Sequence, residues 1–215
     1  MSYLENRVTT AFYGSLPEDS SLLVNVPTTP GHPQQRMHLL AAQKMADMDQ
    51  AILSDLGIVA QTASGWRPHR WASLAQYHQT LIDTYKARLQ AKLGRVPTDA
   101  EVLAFGRIYL AFDSPHETGL ARDFGCGGLI PVSATIEEQK KTPLFKWLVD
   151  NAYKHDVTPY FPEPWHWECR ILSLDAYKKG IPDTLTQTSE ETVITCSDPN
   201  DVCEAPLDNF MVVTS

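Results

Sequence analysis

The chain is short of cysteine, of positive charge and of long apolar runs, and each shortage excludes a class of protein. Four cysteines among 215 residues are too few for a disulfide scaffold, and they are not arranged as a zinc ribbon. No apolar run approaches the ~20 residues that cross a bilayer, so no membrane span is expected. The start, Met1-Ser2-Tyr3-Leu4-Glu5-Asn6-Arg7, lacks the basic stretch and apolar core of a secretory signal. Lysine and arginine total 18 against 26 acidic residues, a formal net charge of −8. That balance argues against non-specific nucleic-acid binding. No phosphate-cradling glycine loop is present, so a nucleotide-directed enzyme has no support.

With 43% hydrophobic and 20% charged residues, the composition is that of an ordinary globular protein, and one domain with extensions is the simplest reading. Residues 1–31 carry no clear period, and Pro17, Pro27 and Pro30 break any long element. They read as an arm laid over the domain, with Leu22-Leu23-Val24 able to pair as a strand. The domain itself is expected over residues 32–180. Met37, Ala41, Met45, Met48, Ile52 and Leu56 form one apolar stripe, predicting a helix over residues 33–56 that Gly57 stops. Leu74, Tyr77, Leu81, Tyr85 and Leu89 predict a second helix over residues 71–93. Thr98 and Glu101 form a capping-box signature opening a third, through Val102, Phe105 and Tyr109. Thr142-Pro143 opens a fourth, ending near His155. Residues 181–215 form an acidic tail with Asp183, Glu190, Glu191, Asp198, Asp201, Glu204 and Asp208 and no lysine, arginine or histidine. Within it, Cys196 and Cys203 bracket a turn-like insert that could close a small disulfide loop.

Chemistry concentrates in two stretches, Ser114-Pro115-His116-Glu117-Thr118-Gly119-Leu120-Ala121-Arg122-Asp123 and Glu163-Pro164-Trp165-His166. They offer two imidazoles, a carboxylate ligand and a spare carboxylate three positions before the second histidine. That inventory suits a catalytic zinc site with three protein ligands, His116, Asp123 and His166, and a fourth position left open. A site that only holds the fold would be expected to use four ligands. Residues 119–124 read as extended, with Leu120, Arg122 and Phe124 on one face and Ala121 and Asp123 on the other. Trp165, Trp167, Cys169 and Ile171 alternate with His166, Glu168 and Arg170, which places His166 on the polar face of a strand. There it can meet Asp123 on a neighbouring strand. Pro159, Pro162 and Pro164 exclude a helix around Glu163, so this carboxylate is expected at the mouth of a turn. Cys126 lacks a basic neighbour in sequence and is not expected to act as a nucleophile.

Written as S-x-H-x-x-G-x-A-x-D and E-P-W-H-W, the two stretches resemble the motifs of the D-alanyl-D-alanine metallopeptidases. That family contains the vancomycin-resistance D,D-carboxypeptidases and dipeptidases. Phage L-alanyl-D-glutamate endolysins and the hedgehog signalling domain are more distant relatives of its fold. Ser64-Gly65-Trp66-Arg67 is similar to the family's S-G-Y-R segment, and the looser resemblance runs over residues 39–170. The resemblance implies an α+β fold whose small antiparallel sheet carries the zinc site and is packed by helices. It implies Zn²⁺ on His116, Asp123 and His166, Glu163 as catalytic base, and Arg67 facing the scissile carbonyl oxygen. Ser114 is the candidate for substrate binding. Two departures, Arg122 in place of a small apolar residue and Glu168 in place of arginine, bear on substrate preference.

The implied activity is hydrolysis of peptidoglycan stem peptides beside a D-amino acid, by a D,D-carboxypeptidase or an endopeptidase. A zinc-loaded binding module without turnover is the alternative. Such work lies in the cell wall, outside the cytoplasm. Three routes fit a chain without a visible export signal: a phage endolysin, a toxin delivered by a secretion machine, or a cytoplasmic dipeptidase. In the lytic cases the acidic tail would serve a delivery partner or an inhibitor.

Overall fold

Capping side chains and apolar spacing set the helices that frame a small sheet. In this computed structural model, which describes residues 8–170 and 173–182, the first element of the described chain is a one-turn helix, α1 (Thr10–Tyr13). Strands β1 (Leu23–Asn25) and β2 (Arg36–His38) then pair antiparallel, with Val24 opposite Met37. Helix α2 (Leu39–Leu56) starts later than its apolar stripe predicts, because residues 36–38 are drawn out along β1. The His38 ring caps it, Nδ1 accepting from the Leu40 amide at 3.2 Å. Gly57, in the left-handed region at φ 67°, ends it as expected.

Strand β3 (Thr62–Ser64) leads to α3 (Leu74–Leu93), which begins at the Ser73 cap rather than at residue 71. Helix α4 (Asp99–Gly106) opens on the Thr98–Glu101 capping box but stops short of Tyr109. A 3-10 turn (Pro115–Thr118) precedes β4 (Ala121–Phe124). The short α5 (Ile136–Gln139) and the Thr142-capped α6 (Pro143–Asn151) follow, the latter continuing as a 3-10 turn to His155. Strands β5 (Val157–Pro159) and β6 (His166–Cys169) then form a hairpin, and α7 (Leu174–Lys179) closes the described chain.

The main sheet has the order β3-β4-β6-β5, antiparallel throughout. Its inner face contributes Phe124, Trp167 and Cys169 to a core shared with Met45, Met48 and Ile52 of α2 and with Leu144 and Leu148 of α6. Each such side chain, fully buried, stabilises the fold by roughly 1.5–3 kcal/mol. This is the expected α+β class, a small antiparallel sheet packed by helices. Residues 8–31 lie against it: β1 pairs with β2, and Val8 and Val26 join the core. The acidic tail, with Cys196 and Cys203, falls outside the described residues. No helix among the described residues is long and apolar enough to cross a membrane.

Arg122 shares the inner face with Phe124, as the alternation requires, yet that face is fully covered. The guanidinium is 1% exposed and donates through Nη1 to both carboxylate oxygens of Asp49 on α2, at 2.8 and 3.0 Å. It also lies 4.3 Å from the centre of the Phe124 ring. Arg122 therefore anchors a strand to a helix and points away from the chemistry. The expectation that it bears on substrate preference is corrected accordingly.

Candidate metal centre

Strand register assembles the site. Ser64 of β3, Asp123 of β4 and His166 of β6 stand opposite one another across three neighbouring strands. Side chains in register on one face are neighbours, so pairing alone delivers Asp123 to His166. His116 arrives from the 3-10 turn just before β4. Gly119 ends that turn at φ +72°, where a Cβ would lie 2.8 Å from the His38 amide nitrogen. That nitrogen donates to the Gly119 carbonyl at 2.9 Å, so the close approach is itself a backbone hydrogen bond. The glycine of the first motif is thus a steric requirement. Gly65 answers a similar one: a Cβ there would sit 2.4 Å from the Arg36 carbonyl oxygen.

Three donor atoms converge. His116 Nε2 lies 3.2 Å from His166 Nδ1 and 3.2 Å from Asp123 Oδ1, while Asp123 Oδ1 and His166 Nδ1 are 2.9 Å apart. Tetrahedral zinc with bonds of ~2.0–2.1 Å sets neighbouring ligand atoms roughly 3.3 Å apart, so the spacing fits that ion. The far sides of both rings are occupied too. His116 Nδ1 is 2.6 Å from the Gly65 carbonyl oxygen, and His166 Nε2 is 3.0 Å from Glu168 Oε1. Each acceptor holds a proton on the outer nitrogen and turns the inner lone pair toward the shared point. All three groups are buried, His116 to 1%, His166 to 4% and Asp123 to 5% exposure.

The electrostatics follow from that burial. Desolvation pushes the His116 pKa down, against the attraction of Asp123. Desolvation opposes the charge of Asp123 as well, yet the two imidazoles hold its carboxyl far below the usual range. At His166 desolvation opposes the charge, yet the hydrogen bonds to Asp123 and Glu168 outweigh it and raise the pKa to about 9. A metal at the shared point would therefore take the place of the proton that Nδ1 otherwise shares with Asp123.

Arg67, Ser114 and Glu163 line the same cleft of about 720 Å³ as His116, Asp123 and His166. Glu163 lies in the turn between β5 and β6, its amide donating to the Tyr160 carbonyl at 2.9 Å. Its Oε2 is 4.0 Å from His166 Nδ1, and its side chain is 40% exposed. It therefore faces the convergence point from the open side, at the turn position expected of it. Arg67 follows β3, its amide donating to the His116 carbonyl at 3.3 Å. Its Nε is buried without a hydrogen-bond partner. Burial lowers its pKa, while the Asp123 and Glu163 carboxylates act in the opposite sense. Ser114 starts the 3-10 turn, its amide donating to Glu117 Oε1 at 3.3 Å.

Two groups near the site have roles that the sequence reading does not assign. Glu168 sits behind His166 and does not line the cleft, so its departure from the motif does not touch substrate. Its position two residues after His166 on one strand was the available signal. Glu117 is buried and accepts from Ser15 Oγ at 2.7 Å and His69 Nδ1 at 2.8 Å. His69 and Asp113 complete a second cluster around it, but the bonds to the Glu117 carboxylate tie the motif turn to the N-terminal segment through Ser15 and to the β3–α3 connection through His69. Trp167 packs as expected, donating from its indole to the Pro164 carbonyl at 3.0 Å. Burial raises the Cys126 pKa, in keeping with an inert thiol.

No protein-family model matches the chain, and no curated protein matches it. Among solved structures, the chain is similar to a zinc(II)-bound mutant of the vancomycin-resistance D,D-pentapeptidase VanY from a VanB-type cassette. The identity is 21% and the TM-score 0.44, over 78% of this chain and 90% of that one. It is also similar to VanYB in complex with D-alanine-D-alanine, at 21% identity and a TM-score of 0.45, over 78% and 89% of the two chains. Similarity to the LD-carboxypeptidase LdcB is lower, at 17% identity and a TM-score of 0.35, over 74% of each chain.

Proposed function

We propose that this chain is a zinc-dependent peptidase that hydrolyses peptidoglycan stem peptides beside a D-amino acid, as a D,D-carboxypeptidase or endopeptidase. The observation that carries the reading is the meeting of His116 Nε2, Asp123 Oδ1 and His166 Nδ1 within a triangle of 2.9–3.2 Å, with Glu163 on its open side. Three ligands and an open side are the arrangement of a catalytic ion rather than a structural one. When bound, Zn²⁺ supplies Lewis acidity that makes water a usable nucleophile near neutral pH.

The protein groups do the rest. Glu163 takes the proton of the attacking water and returns it to the amine as the peptide bond breaks. Arg67 lines the cleft, where its guanidinium can donate as the carbonyl oxygen gains negative charge. Ser114 binds substrate at the same wall. Arg70 and Arg107 also line the cleft and suit the carboxylates of stem peptides, while the preference for a D-residue rests on the motif resemblance. In this reading residues 32–180 form the peptidase domain, with residues 1–31 as its arm. The acidic tail serves a delivery partner or inhibitor for an endolysin or toxin acting on the cell wall.

Purified protein is expected to hold about one zinc per chain and to release peptide fragments from purified peptidoglycan, identified by mass spectrometry. Chelation should stop the release and zinc should restore it. Glu163→Gln should lower kcat by about a hundredfold or more with zinc content unchanged. Hydrolysis that survives complete metal removal would refute the reading. A zinc-loaded protein that releases nothing would instead be a binding module.

A further inference from the structure

We infer that Glu168 is a positioning residue for the metal site, and that the N-terminal segment holds it in place through the backbone amide of Val8. The inference rests on the reading of His166 as a metal ligand. Glu168 is 1% exposed and does not line the cleft. A buried carboxylate is costly unless its oxygens are hydrogen-bonded. Here Oε1 is 3.0 Å from His166 Nε2, and Oε2 accepts from the Val8 amide at 2.6 Å. One carboxylate thus links a ligand ring to a backbone 160 residues away in sequence.

The geometry dictates what the link does. His166 and Glu168 lie on the same face of β6, and Ala121 stands opposite Glu168 as Asp123 stands opposite His166. The small Ala121 side chain leaves that face to the carboxylate. Acceptance by Oε1 keeps one proton of His166 on Nε2, so Nδ1, 2.9 Å from Asp123 Oδ1, is the nitrogen left for the metal. A carboxylate behind a ligating imidazole also makes the ring a stronger donor. The N-terminal segment supports the other ligand element as well. Ser15 Oγ donates to Glu117 Oε2 at 2.7 Å, and the Leu16 amide donates to the Glu117 carbonyl at 2.8 Å, next to His116.

Glu168→Gln is the test. Glutamine offers one acceptor oxygen and one amide donor where two oxygens stood, so it satisfies only one of the two N–H groups. Zinc affinity, measured by competition with a chromogenic chelator, should weaken by about 10–100-fold. A role confined to folding would lower the melting temperature of the metal-free protein and leave that affinity unchanged. The second measurement needs no variant: in zinc-loaded protein, histidine ¹⁵N spectra should show His166 retaining its proton on Nε2. Equal zinc affinity in wild type and Glu168→Gln would overturn the inference while leaving the metal site standing. Coordination of zinc through His166 Nε2 would do the same. Wild-type protein that binds no zinc would bring down the proposed function itself, and this inference with it.

Discussion

Asp49→Ala tests how β4, the strand that carries Asp123, is held against α2. The Arg122 side chain is 1% exposed and that of Asp49 15%, with Nη1 2.8 Å from Oδ1. The Nε and Nη2 atoms of Arg122 are already buried without hydrogen-bond partners, so Asp49 is the counter-charge on which the guanidinium depends. Burial raises the Asp49 pKa while Arg122 acts to lower it, as expected of a carboxylate kept in a dry site by its partner. Removing one member of a buried pair strands the other, at a cost of ~3–5 kcal/mol. For a chain of this size each kcal/mol lowers Tm by about 2–4 °C, so a fall of roughly 6–20 °C is expected. Urea unfolding of the zinc-loaded protein gives the free energy directly. The double variant Asp49→Leu with Arg122→Met removes both charges and should recover most of the loss, because well-packed apolar pairs replace buried ion pairs at little cost. A loss below about 1 kcal/mol for Asp49→Ala would refute the reasoning, since a surface-like pair is worth no more than that.

Arg67→Ala should lower kcat by about 10²–10³ and leave zinc content unchanged, as read by steady-state kinetics beside metal analysis. His38 makes the fold acid-sensitive: its pKa is lowered by burial, with the bond to the Tyr177 carbonyl in opposition, and Nδ1 must stay unprotonated to accept from Leu40. A depressed histidine binds its proton more readily in the unfolded chain, so stability should fall as pH drops below ~6.5. His38→Asn, compared by urea unfolding at pH 7 and 5, should show a smaller fall. Gly119→Ala should destabilise by more than about 1 kcal/mol, since φ is +72° and the new Cβ would meet the His38 amide; thermal unfolding decides. A chain ending at residue 182 should retain zinc and hydrolyse small peptides, because every proposed site residue precedes that point.

Local pattern alone determined a good part of this protein. Periodicity at three- and four-residue steps marked α2 and α3, and the Thr98–Glu101 and Thr142-Pro143 signatures marked α4 and α6. Alternation put His166 and Asp123 on faces able to meet, since side-chain direction in a strand depends only on parity. The same rule placed Arg122 with Phe124. It could not say what covers that face, because Asp49 lies 73 residues away. The start of α2 falls later than its stripe because β1 competes for residues 36–38, a pairing invisible to a helical period. Tertiary structure decided the register that sets Asp123 opposite His166, the Gly65 carbonyl that orients His116, and the clamp of Val8 on Glu168. A carbonyl carries no sequence signature, and a hydrogen bond across 160 residues depends on where the folded chain returns. Residue identity set which donors were available, and packing set the lone-pair directions on which metal binding depends.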